Sequence, residues 1–462
     1  MVLKKFTGRS SGHASTSHDD ADAGSSSAVG AVAVSAYQRR IRQNVTVLEK
    51  VAVSVHDSRA STREAALAEL IVALEGFLSA DHAEGRYSDE ILRGCYVSIK
   101  KRPAREACLA LRAVALLAVT LGPGATMMKT IMAAETTYPL GPSKKIMKET
   151  YPLVSRILEV SADASLVVAA LECLAVVAFV DVAAENMDDT EKCMNALWAV
   201  ICPSTAPKVA GAAKETSLRV LAAAVSAWTL VLTTTGGWKK KKKVSPDPWR
   251  GTAAYLVSLL HSDSREVRMA AGEALAVTIE MKLLTEQNNG ALFSEMESRA
   301  SDLAIEAAGA GVNKTKFLEQ KELFKNITKF LASGKAPVSS VRTSSSNYGL
   351  LTTSTWTDIV RLNFLRRFLG GGFLHHLQGK GLMDQVFVID DGEITGKLSA
   401  AKSKRSLRKD TRIVKELNGG GVVAMDEKEK KQQMIKKSLE KQKTVKKERL
   451  IAYELKHGLS DL

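Results

Sequence analysis

Two adjacent histidines, His375 and His376, follow three consecutive glycines, Gly370, Gly371 and Gly372. Histidines bind metals and glycine-rich turns can hold phosphate, so this cluster is a candidate for either kind of chemistry. Its spacing argues against both. The glycines are not part of a G-x-x-x-x-G-K-[ST] loop, and no strand is predicted before them. Adjacent helix positions point about 100° apart, and no cysteine lies nearby to complete a zinc site. We therefore predict structural or surface histidines.

A second polar group, Asp390, Asp391 and Glu393, could form either a turn or an ion site, and the Asp-Gly step favours the turn. The one G-x-S-x-G, GRSSG at 8–12, lies in the segment predicted to be disordered and not on a strand-to-helix turn, and the chain contains no H-E-x-x-H and no dinucleotide-binding fingerprint. We therefore predict no catalytic residue, no metal site and no cofactor, and we expect that the protein is not an enzyme.

The glycines end a predicted helix that starts near Ser354 or Thr355, where polar capping residues precede Trp356. Glycine permits a positive φ at the end of a helix, and a second helix over 373–387 is expected to pack back on the first. On a helical wheel, the first helix separates an apolar side from a polar side. These sides consist of Val360, Phe364, Leu365, Phe368 and Leu369, and of Asn363, Arg366 and Arg367.

The part of the chain before this hairpin is rich in Ala, Leu and Val at helical spacing. Five segments share this pattern and recur with a less regular helix between most of them: 62–74, 104–119, 164–179, 214–232 and 265–281. The starts of these segments lie 42 to 60 residues apart, which fits armadillo and HEAT repeats of about 40–47 residues with loop insertions. The predicted fold class is all-α: an armadillo/HEAT-like α-solenoid with a small helical C-terminal module and a long basic C-terminal helix.

The composition divides the chain into six parts. We predict a disordered segment at 1–35, the helical repeat domain at 36–332, a Ser-rich linker at 333–353, the C-terminal module at 354–412, a Gly-rich linker at 413–425 and the basic helix at 426–458. The N-terminus has no secretory signal, and the longest apolar run (166–180) contains Glu172 and is too short to span a bilayer. The five cysteines form no C-x-x-C pair, which indicates a reducing compartment and no structural zinc.

The positive charge is concentrated at the C-terminal end. Residues 397–462 hold 19 Lys and Arg against 9 Asp and Glu, in a chain whose net charge is +15. This favours a polyanionic partner, either nucleic acid or an acidic membrane face, although a solvated basic tail has the same composition. The candidate RNA-binding residues are Lys402, Lys404, Arg405, Arg408, Lys409, Arg412, Lys430, Lys431, Lys436, Lys437, Lys441, Lys443, Lys446, Lys447 and Arg449.

A separate run of five lysines, Lys239, Lys240, Lys241, Lys242 and Lys243, lies on a predicted loop bounded by glycines and prolines. It fits an import signal, an RNA contact or a merely solvated loop. Aromatic residues are scarce in the basic segments, so we expect recognition of phosphate and shape and no reading of base sequence.

Residues 356–387, WTDIVRLNFLRRFLGGGFLHHLQGKGLMDQVF, resemble the C-terminal signature of the interferon-related developmental regulator family. Segment 400–412 resembles the basic segment that follows this signature, and REVRMAAGEALAVTIEM (265–281) resembles the last repeat of the family's helical domain. The resemblance spans about 40–412 and ends at the lysine-rich extension. The motif residues are Trp356, Phe368, Gly370, Gly371, Gly372, His376, Leu377 and Gln378.

The resemblance implies an armadillo-like protein without enzymatic activity. It implies two roles: silencing of translation on the ribosome by C-terminal helices that enter tRNA and mRNA paths, and transcriptional co-regulation with deacetylase complexes. The expected partners are therefore the ribosome, through rRNA and ribosomal proteins, or nuclear co-repressor proteins. We expect a monomer without a membrane partner, in the cytoplasm and, for the second role, the nucleus.

Overall fold

The computed structural model describes residues 39, 42–78, 83, 86–122, 142–181, 187–202, 217–235, 247–306, 314–342, 350–379 and 381–390. The chain divides into two units, 1–392 and 393–462, and every described residue belongs to the first. The predicted basic helix at 426–458, the linker at 413–425 and the disordered segment at 1–35 lie outside the described residues.

Within the described residues, twelve helices precede the first strand and form six pairs. They are α1 (42–54), α2 (Ala60–Glu75), α3 (Arg86–Lys101), α4 (Ala104–Leu121), α5 (Pro142–Val160), α6 (Ala164–Asp181), α7 (Met187–Ile201), α8 (Leu218–Leu232), α9 (Asp247–Leu259), α10 (Arg265–Glu280), α11 (Glu286–Glu306) and α12 (Lys314–Ser333).

The even-numbered helices form a ladder, in which each one packs against the next from α2 to α12. Helices α3, α5, α7, α9 and α11 each pack against the even-numbered helix that follows. The five Ala-rich segments found in the sequence are α2, α4, α6, α8 and α10 of this ladder. Small side chains let these helices approach closely, and the predicted all-α solenoid is confirmed.

The apolar composition of helix α6 follows from its position within the ladder. It is apolar on all sides because it has neighbours on both sides of the ladder and helix α5 behind it. With 18 residues and a mean hydropathy of 2.2, it is long and apolar enough to cross a membrane, as no other helix in the described part of the chain is. However, 67% of it is buried in the structure, as in the core helix of a folded domain.

An arginine in the first turn of two ladder helices closes the preceding loop. The Nη1 of Arg63 donates to the carbonyl oxygens of Asp57 and Ser58 at 2.8 and 2.7 Å. The Nη1 of Arg268 donates in the same way to Ser262 and Asp263 at 2.9 and 3.1 Å.

Both arginines then reach the next ladder helix. Arg63 forms a two-armed ion pair with Glu106 of α4, and Arg268 donates to Gln320 of α12 at 3.1 Å. In the first and the fifth repeat, an arginine therefore joins the preceding loop to the next ladder helix. This arginine is the last residue of HDSRASTR (56–63) and of HSDSREVR (261–268).

The remaining elements form a cap on the ladder. They are the strands β1 (Ser339–Arg342) and β2 (Leu350–Thr353), helix α13 (Trp356–Leu369), a 3-10 turn (Gly370–Gly372), the helices α14 (Phe373–Gln378) and α15 (Leu382–Val386), and strand β3 (Ile389–Asp390). The strands pair antiparallel in the order β1-β2-β3, with Ser339 opposite Thr353 and Leu351 opposite Ile389.

The structure corrects two expectations in this region. Part of the Ser-rich linker, 333–353, forms strands, because Leu351 and Thr353 are buried while the alternate residues Leu350 and Thr352 are exposed. This short period-two pattern is hidden by the surrounding serines and threonines. The single second helix expected over 373–387 is instead α14 and α15, separated at Gly379. Asp390 ends β3, whereas Asp391 and Glu393 lie outside the described residues.

Candidate functional site

Helix α13, which contains the signature, lies across the ladder and is held at both ends. Thr355 caps its first turn by accepting from the backbone N–H of Asp358 at 3.0 Å. The carboxylate of Glu280, the last residue of α10, accepts from the backbone N–H groups of Trp356 and Thr357 at 2.6 and 2.8 Å. A carboxylate at this position satisfies free N–H groups and interacts favourably with the helix dipole.

The middle of α13 is fixed by Arg361. Its guanidinium donates to the carbonyl oxygen and hydroxyl of Thr233, which follows α8, at 2.6 and 3.1 Å. It also lies 5.8 Å from the centre of the Phe179 ring in α6. Burial lowers the pKa of Arg361, which the nearby Asp358 and Glu280 oppose. A single arginine thus joins α13 to two ladder helices.

The C-terminal end of α13 reaches α4 and α2. Arg112 of α4 donates to the carbonyl oxygen of Phe368 at 2.8 Å and lies over the Phe368 ring at 5.1 Å. The same guanidinium pairs with Glu75 of α2 at 2.5 Å. Arg112 therefore donates to a carbonyl group at the C-terminal end of α13 and ties this end to α4 and α2.

The glycines and the buried histidine complete this attachment. Gly370 adopts a φ of 53° at the end of α13, and Gly372 lies directly against the carbonyl group of Glu75, which leaves no room for a Cβ. The Nε2 of His376 donates to the carbonyl oxygen of Leu74 at 2.8 Å. Burial lowers the pKa of His376 to about 4, so its neutral form is the stable one.

These contacts show that His376, the second of the two adjacent histidines, has a structural role. His376 packs edge-on against Phe77 at 5.4 Å and acts as a structural donor to the end of α2. His375, on the neighbouring position, is half-buried. Among the residues that the structure describes, no group of three His, Cys, Asp or Glu side chains could hold a metal ion.

The other signature residues follow the predicted wheel. Trp356 is 1% exposed and packs against Phe330 of α12 at 5.9 Å. The predicted apolar side is buried, as is Leu377, and the predicted polar side is exposed. Gln378 is exposed. The signature is therefore a docking element that clamps α13 to the ladder.

Two cavities flank α13, one on the side of α2 and one on the side of α10. The larger, about 890 Å³, lies between α2, α4, α6 and Phe368. The smaller, about 340 Å³, lies between α6, α8, α10, Glu319 of α12 and the pair Phe364 and Arg367. Glu172 of α6 lines both, and we call the two cavities together the ladder groove.

The candidate RNA-binding residues of the sequence analysis, from Lys402 to Arg449, lie outside the described residues, and so does the run Lys239 to Lys243. Sequence reasoning missed the residues that hold the signature from the ladder side, namely Glu280, Arg112 and Thr233. No local signal marks them, because their partners are distant in the chain. The loop arginines Arg63 and Arg268 could have been found from a shared spacing, since each follows a histidine, His56 or His261, by seven residues.

Comparisons with known proteins found matches to one family. The family model described as interferon-related developmental regulator (IFRD) matches residues 9–332. Interferon-related developmental regulator 2 of Mus musculus is 27% identical over 340 residues, which cover 72% of this chain and 70% of the mouse protein. Interferon-related developmental regulator 1 of Sus scrofa is 27% identical over 163 residues, which cover 35% of this chain and 34% of the pig protein. Since the family model matches well over half of its length, the chain belongs to the interferon-related developmental regulator family.

Proposed function

We propose that this protein binds ribosomes that are not translating and represses translation, by placing its basic C-terminal segments in rRNA-lined sites that tRNA or mRNA would otherwise use. The observation that carries the proposal is the concentration of charge: 19 Lys and Arg against 9 Asp and Glu within 397–462. A cationic segment of this kind binds RNA by releasing condensed counterions. Recognition of RNA does not require chemistry, and in this proposal the protein is not an enzyme.

The clamped signature supports the proposal physically. Glu280, Arg361, Arg112 and His376 hold residues 356–378 against the ladder. The chain then passes through β3, which pairs with β2 at Leu351. In the sequence, the basic segments from Lys402 onward follow this strand, so the attachment of the tail to the folded body begins at a strand that is held by pairing.

A second candidate, a nuclear co-regulator that acts as a protein scaffold, is favoured by a different observation. The ladder groove is largely apolar and open, as in surfaces that bind protein segments. In this role, the run Lys239 to Lys243 would serve nuclear import.

Sedimentation of cell lysate on sucrose gradients distinguishes the two. We expect the full chain to run with non-translating ribosomes and a 1–396 truncation to remain at the top of the gradient. If neither form runs with ribosomes, the ribosome proposal is wrong and the scaffold becomes the better explanation.

A matched pair of charge variants tests the RNA contact directly. One variant changes Lys436, Lys437 and Lys443 to Gln, and its control changes the exposed Lys321, Lys325 and Lys329 of α12 to Gln. Each of the two variants removes three positive charges. If each tail lysine neutralises one phosphate, the log–log salt slope of binding to purified ribosomes should fall by about 2 to 3 in the first variant only. Equal slopes in the two variants would contradict a specific role of the tail.

A further inference from the structure

The ladder groove has an apolar floor. It is built from small side chains that project from successive ladder helices, among them Ala65, Ala68, Ala169, Ala222 and Ala270. Phe364 and Phe368 of α13 form one wall. Small residues on the ladder and aromatic residues on the wall leave space for apolar side chains from outside.

The charges at the groove have the opposite sign to those of the whole chain. Six carboxylates line the two cavities against four arginines and no lysine, in a protein whose net charge is +15. Several of these are paired with each other, for example Arg105 with Glu64 at 3.1 Å and Arg265 with Glu266 at 3.3 Å.

Three of the six carboxylates lie outside these ion pairs: Glu172, Glu273 and Asp163, of which Asp163 accepts instead from the backbone N–H groups of Ser165 and Leu166 at 2.8 and 3.1 Å. Among the described residues, Glu172 has no hydrogen bond and no ion pair within 4 Å, and Glu273 accepts only from Asn363 at 3.1 Å. Burial raises the pKa of both, although Arg367 attracts each of them and Arg112 and Arg219 also attract Glu172. Their charged forms are therefore short of neutralising partners.

We propose that the ladder groove binds an amphipathic segment of a partner protein, whose apolar side chains cover the alanine floor and whose Lys or Arg side chains pair with Glu172 and Glu273. Charge complementarity identifies this occupant. Nucleic acid is a poor fit, because phosphates would meet an apolar floor and an excess of carboxylates. The protein would then have two separate surfaces, one for a protein at the groove and one for RNA in its basic segments.

The net charge of the chain makes the test selective. A cationic peptide is repelled by a protein of charge +15 unless a local site attracts it. The probe is the fluorescent amphipathic peptide LKKLLKLLKKLLKL, and its control is SKKSSKSSKKSSKS, which has the same charge without the apolar side. Binding to the full chain is measured by fluorescence anisotropy.

Three variants are compared with the natural chain. Glu172→Gln combined with Glu273→Gln removes the negative charges, Ala222→Trp fills the floor, and Glu297→Gln removes an exposed carboxylate of α11 that does not line the groove. We expect the Leu-Lys peptide to bind, the Ser-Lys peptide not to bind, and the first two variants to lose about tenfold or more in affinity. The Glu297→Gln control should bind as the natural chain does.

The competing occupant is tested with a cross-linking group at the edge of the groove. With p-benzoylphenylalanine in place of Ser165, an exposed residue that lines the larger cavity and leaves the floor open, illumination should cross-link the Leu-Lys peptide and not a uridine oligonucleotide. Cross-linking of the oligonucleotide would overturn the proposal in favour of an RNA site. Absence of peptide binding, or binding that is equal in all variants with native circular dichroism, would also overturn it.

Discussion

The three glycines of the signature are chemically identical, yet the structure predicts a different effect for each when it is changed to alanine. At Gly372, a Cβ would overlap with the carbonyl group of Glu75, which is backbone at the end of α2 and cannot rotate away. At Gly371, a Cβ meets nothing within 4 Å, and the φ angle is not positive. At Gly370, the space is open but the φ of 53° disfavours any side chain.

The magnitudes follow from these environments. Overpacking against fixed backbone costs about 1–3 kcal/mol, so Gly372→Ala should weaken the docking of α13 and α14 by this amount. Gly370→Ala should cost about 1–3 kcal/mol, because a φ of 53° with a ψ of −126° is a conformation that side-chain-bearing residues rarely adopt. Gly371→Ala should be neutral or stabilise by up to about 1 kcal/mol, because alanine lowers the entropy of the unfolded chain.

Hydrogen exchange read by mass spectrometry is the suitable assay, since a repeat ladder does not unfold in one step. In Gly372→Ala, the amides of 356–378 should exchange roughly 5 to 150 times faster, while those of α6 keep their natural rates. Gly371→Ala is the matched control. If Gly371→Ala accelerates exchange as much as Gly372→Ala does, the contact between Gly372 and α2 does not hold the module, and the reasoning is refuted.

Two further predictions concern buried charge. His376 has a folded-state pKa of about 4, below the value near 6.5 of an unfolded histidine, so between these values the unfolded state binds the proton and the docked module does not. The stabilisation is therefore complete above pH 6.5 and is lost as the pH falls towards 4, by up to about 3 kcal/mol. Exchange of 356–378, corrected for its intrinsic pH dependence, should accelerate across this range in the natural chain, and a His376→Gln variant should show no such acceleration. The second prediction concerns Glu106, which is 0% exposed and accepts from Arg63 at 2.9 and 2.8 Å and from Ser98 at 2.8 Å. Glu106→Gln leaves the Arg63 charge buried without a counter-ion and should destabilise the first repeats by about 3–5 kcal/mol. Glu64→Gln, which breaks the pair with the largely exposed Arg105, should cost less than about 1 kcal/mol. Hydrogen exchange of the amides of α2 and α4 compares the two variants, and equal acceleration would contradict the role of burial.

Local pattern was enough to locate the ladder. The five Ala-rich segments correspond to α2, α4, α6, α8 and α10, because helical periodicity and small residues are properties of consecutive positions. The buried and exposed sides of α13 were predicted for the same reason, and the exposed side includes Asn363, Arg366 and Arg367. The cap at Thr355 was also visible, since a helix cap involves only its neighbours in the chain.

Only the tertiary structure showed how the signature is attached to the ladder. His376 finds its acceptor 302 residues away, and Glu280 caps a helix that begins 76 residues later, so neither partnership leaves a trace in local composition. The strands within the Ser-rich segment were missed because they are four residues long and are held by pairing with each other and with β3. The ladder groove depends in the same way on six separated helices and on α13. Sequence periodicity determined which residues face inward, and the packing of distant helices decided which of them meet.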